Sequence, residues 1–346
     1  MIYCSNAFTR LWLQVFKNVA SPRIILVEDQ GDLVGVAPFA SSHYSMLGMP
    51  IRVLALVGDV EYRLRLSGSS VLFPPERHDV LEKMVEEIKR LDWNKFTANN
   101  MQDSVAVREF IERLGMSGRQ EEYLPGRMFR APIPESGDVT RTFKKKARAN
   151  TRNLLNRLER DRIAVEFKKI AKEGIDKAVD TYVKQHIDRW QTKGGSVFRF
   201  PENSEFVKGS MKMALSNRAG FAYELLLNGE VASQLFGFLD GSMSYGFRLG
   251  MDNKFARYSP GWIIHYFAFT DLQSKGITAY HTGLGSEDYK HWLGGSEMLL
   301  PGVKVNRGAA SLLMRLARSQ TFHKLDSTLG ISKRALKVQS QSERAI

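Results

Sequence analysis

The stretch FAYELLLNGEVASQLFGFLDGSMSYGFRLGMDNKFARYSPG, residues 221–261, decides the fold of this chain. It contains three apolar runs, at residues 221–227, 231–239 and 242–249. Asn-Gly and Asp-Gly, dipeptides typical of tight β-hairpin turns, separate them. The pattern therefore predicts three antiparallel strands in a meander that ends in the loop 251–261.

The elements around this meander indicate an α+β fold. A strand at 165–170 and helices at 175–190 and 204–216 are predicted before it, and a helix at 262–273 and a strand at 277–282 after it. The first half also reads as a helix at the N-terminus, a hairpin, a strand and two further helices. Only residues 123–134, which hold three prolines, read as an irregular passage between domains.

A length of 346 residues suggests two domains. We predict an N-terminal domain at 1–130, a linker and basic helix at 131–162, a C-terminal domain at 163–325 and a flexible basic tail at 326–346. A single cysteine, Cys4, argues against a disulfide framework and a cysteine-rich metal site, and no metal is expected. No membrane span or signal peptide is predicted, so we expect a cytoplasmic protein, with peripheral attachment to the inner membrane as an option.

The net charge of +13 is concentrated in one segment. Residues 141–162 carry nine basic side chains against only Glu159 and Asp161, and their apolar positions recur at roughly helical spacing. The segment predicts a long basic amphipathic helix. It is either a solvated face or a contact surface for an acidic glycan, a nucleotide sugar, tRNA or the phosphates of a cofactor. Its sparse aromatic content argues against a platform for single-stranded nucleic acid.

The loop after the meander is a candidate anion site. Ser259 stands at the N-cap position of the predicted helix, Pro260 lies in its first turn and Arg257 is nearby. Free N–H groups and the helix dipole would attract a pyrophosphate there. The alternative is simply a well-capped helix. The chain lacks a nucleotide-binding P-loop, an H-E-x-x-H zinc motif and a G-x-S-x-G nucleophile elbow.

Several short motifs together resemble a known family. They are Phe-Ala-Arg-Tyr-Ser-Pro-Gly at 255–261, Tyr280, Glu-Asp-Tyr-Lys at 287–290, Asn-Thr-Arg-Asn-Leu at 150–154, the segment 186–194, Gly-Glu-Val-Ala at 229–232 with Gln234, and Gly-Asp-Leu-Val-Gly-Val-Ala-Pro at 31–38. In this order they resemble the GNAT acyltransferases of the CelD-like, polysaccharide-associated family. The chain is also similar to the Fem-type aminoacyl transferases, which take their acyl group from charged tRNA.

The resemblance implies two tandem GNAT-like domains, each with a mixed, mostly antiparallel sheet flanked by helices, the second one doing the chemistry. The implied co-substrate is acetyl-CoA or another acyl-CoA, bound by Arg257, Tyr258, Ser259, Pro260 and Gly261. This loop departs from the usual phosphate loop of GNAT proteins because it has only one glycine. The implied acceptor is an amine or hydroxyl of an anionic small molecule or glycan, such as a sugar or nucleotide sugar in polysaccharide or cell-envelope biosynthesis, with proteins of that process as further partners.

Direct acyl transfer needs a base for the acceptor and an acid for the departing thiolate. Glu287 or Asp288 could serve as the base, directly or through water, and Tyr289 as the acid; otherwise 287–290 is a solvated turn. The candidates for acceptor binding are Arg189, Trp190, Gln234 and Lys290. Gln234 could instead be a hydrogen-bonded core residue, and Arg189 and Trp190 could simply close a helix. His265 is expected to be structural, as is His281, although its place at a strand end leaves it more open.

The sequence is also compatible with two other functions. A Fem-like aminoacyl transferase would bind tRNA through residues 141–162, with a steep dependence on salt. A non-catalytic GNAT fold would act as a scaffold or a glycan-binding component.

Overall fold

The computed structural model describes residues 5–46, 48–59, 68–121, 125–191, 195–308 and 311–312. Cys4, residues 192–194 and the tail predicted at 326–346 lie outside these ranges. In chain order the elements are α1 (Asn6–Val15), β1 (Ser21–Asp29), β2 (Asp32–Met46), β3 (Met49–Leu56), α2 (His78–Arg90), β4 (Lys95–Ala98), α3 (Val105–Gly115), β5 (Arg119–Gln120), β6 (Gly126–Pro132), α4 (Lys145–Arg160), β7 (Val165–Lys169), α5 (Ile175–Trp190), α6 (Pro201–Ser216), β8 (Gly220–Leu227), β9 (Glu230–Asp240), β10 (Met243–Met251), α7 (Pro260–Ser274), β11 (Ala279–His281), α8 (Asp288–Trp292), β12 (Ser296–Leu300) and β13 (Val303–Asn306).

The described residues form two compact units. The six-stranded unit contains those from Lys17 to Pro125 and from Pro301 onwards, and the seven-stranded unit contains those up to Phe16 and from Gly126 to Leu300. Both units are therefore discontinuous in sequence, whereas the domains predicted at 1–130 and 163–325 are continuous. Helix α1 groups with the later part of the chain because the Phe8 ring packs in the core against Phe206, with ring centroids 5.2 Å apart.

The six-stranded unit has the strand order β1-β2-β3-β4-β13-β5. Its hairpin turns at Gln30 and Gly31, which both have positive φ, and the flanking residues Asp29 and Asp32 pair with each other. The apolar faces of α2 and α3 cover the sheet, with Met84 and Phe110 fully buried in the core. The predicted hairpin and both predicted helices are confirmed.

The seven-stranded unit has the strand order β12-β6-β11-β10-β9-β8-β7. Strands β8, β9 and β10 are the predicted antiparallel meander, and Asn228, Gly229 and Gly241 have the positive φ that tight hairpin turns require. Strand β11 then pairs with β10 in parallel. With two sheets flanked by helices, the predicted α+β fold is confirmed.

The prediction of an irregular passage at residues 123–134 is wrong for most of that segment. Gly126–Pro132 is strand β6, which lies inside the seven-stranded sheet between β11 and β12. Its prolines do not interrupt the ladder because Pro125 precedes the strand and Pro132 is its last residue. The passage between domains is thus partly a strand of the second sheet.

The basic helix is shorter than predicted. A 3-10 turn covers Val139–Thr142, Phe143 is extended, and the α-helix runs from Lys145 to Arg160. The break has a packing reason: the Phe143 ring is buried edge-on against Trp262 and Phe269, with ring centroids 5.4 and 5.7 Å away.

Two features are absent from the described residues. No helix there combines the length and the apolar character needed to cross a bilayer. No cluster of three or more His, Cys, Asp or Glu side chains there is arranged to hold a metal ion.

Candidate active site

The candidate site lies where β10 and β11 part. The two strands pair in parallel over only three positions, the last of which joins Tyr245 to His281. Strand β10 continues to Met251 with a bulge just after Gly246, whereas the chain after β11 stays with β6: the amide of Thr282 donates to the carbonyl of Phe129 (2.9 Å). Ligands commonly bind at the carboxyl ends of parallel strands, in the crevice where neighbouring strands separate.

Helix α7 begins at the end of this opening. Ser259 is its N-cap residue and Pro260 its first residue, as predicted. Ser259 has the left-handed backbone (φ 48°, ψ 55°), and its carbonyl accepts hydrogen bonds from the amides of Trp262 (2.8 Å) and Ile263 (3.1 Å). Its hydroxyl does not cap the helix. A Cβ added at Gly261 would make ordinary van der Waals contact with the sulfur of Met251, 3.6 Å away.

Asp161, at the C-terminal end of α4, binds Arg257 and Tyr258, two of the residues predicted to bind the donor. It forms an ion pair with Arg257 and accepts a hydrogen bond from the Tyr258 hydroxyl (3.1 Å). Burial alone would raise the pKa of this carboxyl, but the hydrogen bonds from Arg257, Arg160 and Tyr258 together bring it below its usual value. A phosphate that binds Arg257 must therefore compete with a carboxylate that is already ionised.

The predicted turn at 287–290 opens α8, with Glu287 at the N-cap position. Glu287 and Asp288 are both exposed. Lys290 is only 2% exposed; its ammonium donates to the carbonyls of Gly283 (3.2 Å) and Leu284 (2.6 Å) and pairs with Glu287 (2.8 Å). Burial lowers the pKa of Lys290, and Glu287 partly offsets this. Lys290 thus fixes the loop that follows β11.

Tyr289 links α8 to the start of α7. Its ring lies 5.5 Å from that of His265, whose Nδ1 lies 2.6 Å from the carbonyl of Gly261. Burial, followed by the negative charge of Glu287, raises the pKa of Tyr289, so the phenol stays protonated at neutral pH. The fold therefore brings Tyr289 and the Ser259–Gly261 turn to the same side of the sheet.

The other acceptor-binding candidates lie on or against α5. Trp190 is 40% exposed and stacks on His186 (5.7 Å between centroids, 13° between planes), and Arg189 is exposed beside it. Gln234 is fully buried in β9, and its amide nitrogen donates to the carbonyl of Ala178 in α5 (2.8 Å). The same nitrogen lies 2.9 Å from the carboxylate of Glu224. Gln234 thus ties α5 to the sheet.

With this geometry in place, residues 145–291 match the family described as "Acetyltransferase (GNAT) domain". This part of the chain, here called the GNAT domain, is similar to that family. The protein is accordingly an acyltransferase of the GNAT type, as the sequence predicted. No curated protein matches the chain.

Solved structures share the fold over most of the chain. FemX aligns with a TM-score of 0.60 at 11% identity, over 88% of this chain and 92% of FemX. The C-terminal domain of a putative lysylphosphatidylglycerol synthetase from Agrobacterium fabrum aligns with a TM-score of 0.53 at 11% identity, over 92% of this chain and 94% of that domain. L-PGS from Bacillus licheniformis aligns with a TM-score of 0.52 at 12% identity, over 91% of this chain and 96% of L-PGS. At these identities the likeness concerns the fold.

The pairing of Asp161 with Arg257 could not be predicted from the sequence, because the two residues are 96 positions apart and no local pattern links them. His281 was expected to be structural but was left more open because it ends a predicted strand. In the structure it closes the β10–β11 pairing at the point where the strands part.

Proposed function

We propose that the GNAT domain transfers an acyl group from acyl-CoA to an amine or hydroxyl acceptor by direct attack. The observation that carries this proposal is the opening between β10 and β11, with the α7 N-terminus and Tyr289 on one side of it. The turn with Ser259, Pro260 and Gly261 would receive the pyrophosphate of the donor, with Arg257 turning from Asp161 to the phosphates. The match to an acetyltransferase domain favours this reading over a non-catalytic scaffold.

Roles follow for the residues of α8 and the loop before it. Tyr289, held protonated in its buried position, would donate to the thiolate that leaves with CoA. Glu287 or Asp288, both exposed, would accept the proton of the acceptor directly or through water. Lys290 would hold the backbone of Gly283 and Leu284 in place through its hydrogen bonds to their carbonyls. Its role would therefore be to position this loop and not to contact the acceptor.

The proposed acceptor is a sugar, nucleotide sugar or related anionic molecule in polysaccharide or cell-envelope biosynthesis. Support comes from the CelD-like motifs of the sequence and from the exposed positive charge of α4. A cytoplasmic enzyme that works beside the inner membrane would fit such an acceptor. Arg189 and Trp190, exposed at the end of α5, would contact it, and Gln234 would orient α5 from below.

The donor proposal is tested by titrating acetyl-CoA and longer acyl-CoAs into the protein and into an Arg257→Ala variant by calorimetry. We expect saturable binding and about a tenfold loss of affinity in the variant, because a charge-assisted contact to phosphate is removed. Arg10→Ala, which removes an exposed arginine from α1, is the matched control and should bind like the parent protein. Folded protein that binds none of these thioesters would overturn the proposal.

Aminoacyl transfer from charged tRNA is the second candidate, and α4 favours it. Lys144, Lys145, Lys146, Arg148 and Arg152 are all exposed, and within the described part of the chain none of them pairs with a carboxylate. Three lysines beside a helix N-terminus oppose the helix dipole, an arrangement that favours an anionic partner. The overall likeness to FemX adds fold-level support.

Charge reversal separates the two candidates. Replacing Lys144, Lys145 and Lys146 with Glu should abolish salt-dependent tRNA binding if the second candidate is right, and leave acetyl-CoA affinity nearly unchanged. Replacing Lys172, Lys177 and Lys184, three exposed lysines elsewhere in the same unit, is the control. If the parent protein binds acetyl-CoA and shows no salt-dependent affinity for tRNA, the second candidate is wrong.

A further inference from the structure

His281 faces away from helix α7. Its neighbour Tyr280 packs against His265 and Phe269 of α7, with ring centroids 5.6 and 5.2 Å away. Successive side chains of a strand point to opposite faces of the sheet, so His281 lies on the other face. There its ring stacks on that of Tyr245, 4.6 Å between centroids and 12° between planes. Tyr289 belongs to the α7 side, so the two residues flank the opening from opposite faces.

The imidazole of His281 is buried without hydrogen-bond partners. The residue is 4% exposed, and neither Nδ1 nor Nε2 has a partner within the described chain. A neutral imidazole offers one N–H donor and one lone-pair acceptor, and native structures rarely leave both unused. His265, the other buried histidine beside the opening, has its Nδ1 against the carbonyl of Gly261. Both ring nitrogens of His281 are therefore available to a hydrogen-bonding group of a ligand.

The surroundings keep the His281 ring neutral. Burial lowers its pKa to about 4, and the positive charge of Arg130, its neighbour on β6, acts in the same direction. Tyr245 on β10 faces it from the other side, and burial, followed by the charge of Asp240, raises the pKa of that phenol. At neutral pH one ring nitrogen of His281 thus carries a free lone pair. Arg130 is exposed, and it marks the side from which a polar molecule would reach the ring.

We propose that His281 contacts the acceptor and takes the proton of its nucleophilic amine or hydroxyl during acyl transfer. This inference rests on the proposed acyl-CoA reaction. The acceptor nitrogen or oxygen forms a bond to the thioester carbonyl carbon, and the carbon–sulfur bond breaks. The acceptor proton moves to the free nitrogen of His281, which later releases it to solvent. The Tyr289 hydroxyl gives its proton to the CoA thiolate and regains one from solvent. This assigns to His281 the proton transfer that the general proposal gives to Glu287 or Asp288, which are exposed on α8 and take no part in this version of the step.

Turnover of His281→Asn and His281→Gln tests the assignment, with acetyl-CoA as donor and water or glucosamine as probe acceptor. CoA thiol release should fall by about 10²- to 10⁴-fold in kcat, while the KM for acetyl-CoA stays within about twofold. The residual rate should rise with pH, since unassisted attack needs a free amine or hydroxide. His291→Asn, which alters the histidine beside Phe129, is the control. Variants that turn over within about threefold of the parent protein would overturn the proposal.

A measurement independent of turnover uses the parent protein labelled with ¹⁵N-histidine. The His281 ring signals, assigned by their loss in His281→Asn, should report a neutral ring at pH 6. They should shift when acetyl-CoA saturates the protein, because the thioester is placed beside them. Signals that stay unchanged under saturation would contradict the assignment to His281 alone. Failure to bind acetyl-CoA in calorimetry would instead remove the acyl-CoA proposal, and the His281 inference with it.

Discussion

At the scale of single residues, the donor side of the opening is organised around Tyr289. Its hydroxyl is kept protonated by burial, and its ring contacts His265, which reaches the backbone of Gly261. Asp161 restrains Arg257 on the exposed flank of the same turn. A donor whose pyrophosphate lies at this turn would therefore meet one arginine that must change partner, and its thioester would meet one protonated phenol.

Tyr289→Phe isolates the role of the hydroxyl. We expect thiol release from acetyl-CoA to fall by about 10²-fold, because the leaving thiolate loses its proton donor, while calorimetric affinity for acetyl-CoA stays the same. Tyr266→Phe, which alters a half-buried tyrosine of α7, is the control and should leave the rate of thiol release unchanged. Equal rates for Tyr289→Phe and the parent protein would remove Tyr289 from the chemistry.

The chemistry-bearing residues differ in how far the sequence predicts them. Ser259 and Pro260 could be placed because a helix start has a local signature of an N-cap residue followed by proline. The engagement of Arg257 by Asp161 and the orphaned nitrogens of His281 depend on tertiary contacts, which no local pattern encodes. Local signals thus located the donor turn but not the electrostatic environment of the opening.

At the scale of elements, the turn into α7 is strained at one residue. Ser259 has φ +48°, a backbone conformation that is unfavourable for residues with a Cβ. Its hydroxyl makes no capping hydrogen bond that would offset this strain. Ser259→Gly should therefore raise the free energy of unfolding by about 0.5–1 kcal/mol in urea titrations. Ser274→Gly, at the helical end of α7, should lower it. A loss of stability in Ser259→Gly would show that the hydroxyl is needed.

Elements with strong periodicity or turn chemistry were predictable, and those defined by distant partners were not. The meander β8–β10 was predicted from its turn residues and alternating runs. Strand β6 was not predicted because its partners β11 and β12 come from about 150 and 170 residues further along the chain. Helix α8 has only five residues, too few for a helical period to emerge.

At the scale of the whole molecule, α1 stabilises the seven-stranded unit. Phe8 is fully buried and meets the rings of Phe206 and Phe238 at 5.2 and 6.1 Å. Phe8→Ala should cost about 3–5 kcal/mol of unfolding free energy. Hydrogen exchange should show the loss of protection in the seven-stranded unit, whereas the six-stranded unit stays protected. Uniform loss in both units would contradict the assignment of α1 to the seven-stranded unit.

Acid should destabilise the seven-stranded unit. Burial lowers the pKa values of His186, His265 and His281 to about 4, against 6.5 for an unfolded histidine. Since the unfolded chain takes up these protons first, the stability is present above pH 6.5 and is lost as the pH falls towards 4. The midpoint of thermal unfolding of the parent protein should fall as the pH is lowered through this window. In His265→Gln it should fall less steeply. A midpoint that is flat from pH 6.5 to 4 would contradict the buried neutral state of these histidines.

The most direct test of the central claim is a crystal structure of the full chain with acetyl-CoA. We predict that the pyrophosphate lies at the Ser259–Gly261 turn and that the thioester enters between β10 and β11, with Tyr289 and His281 on opposite sides of it. Acetyl-CoA bound elsewhere, or an opening that stays empty at a saturating concentration, would contradict the account.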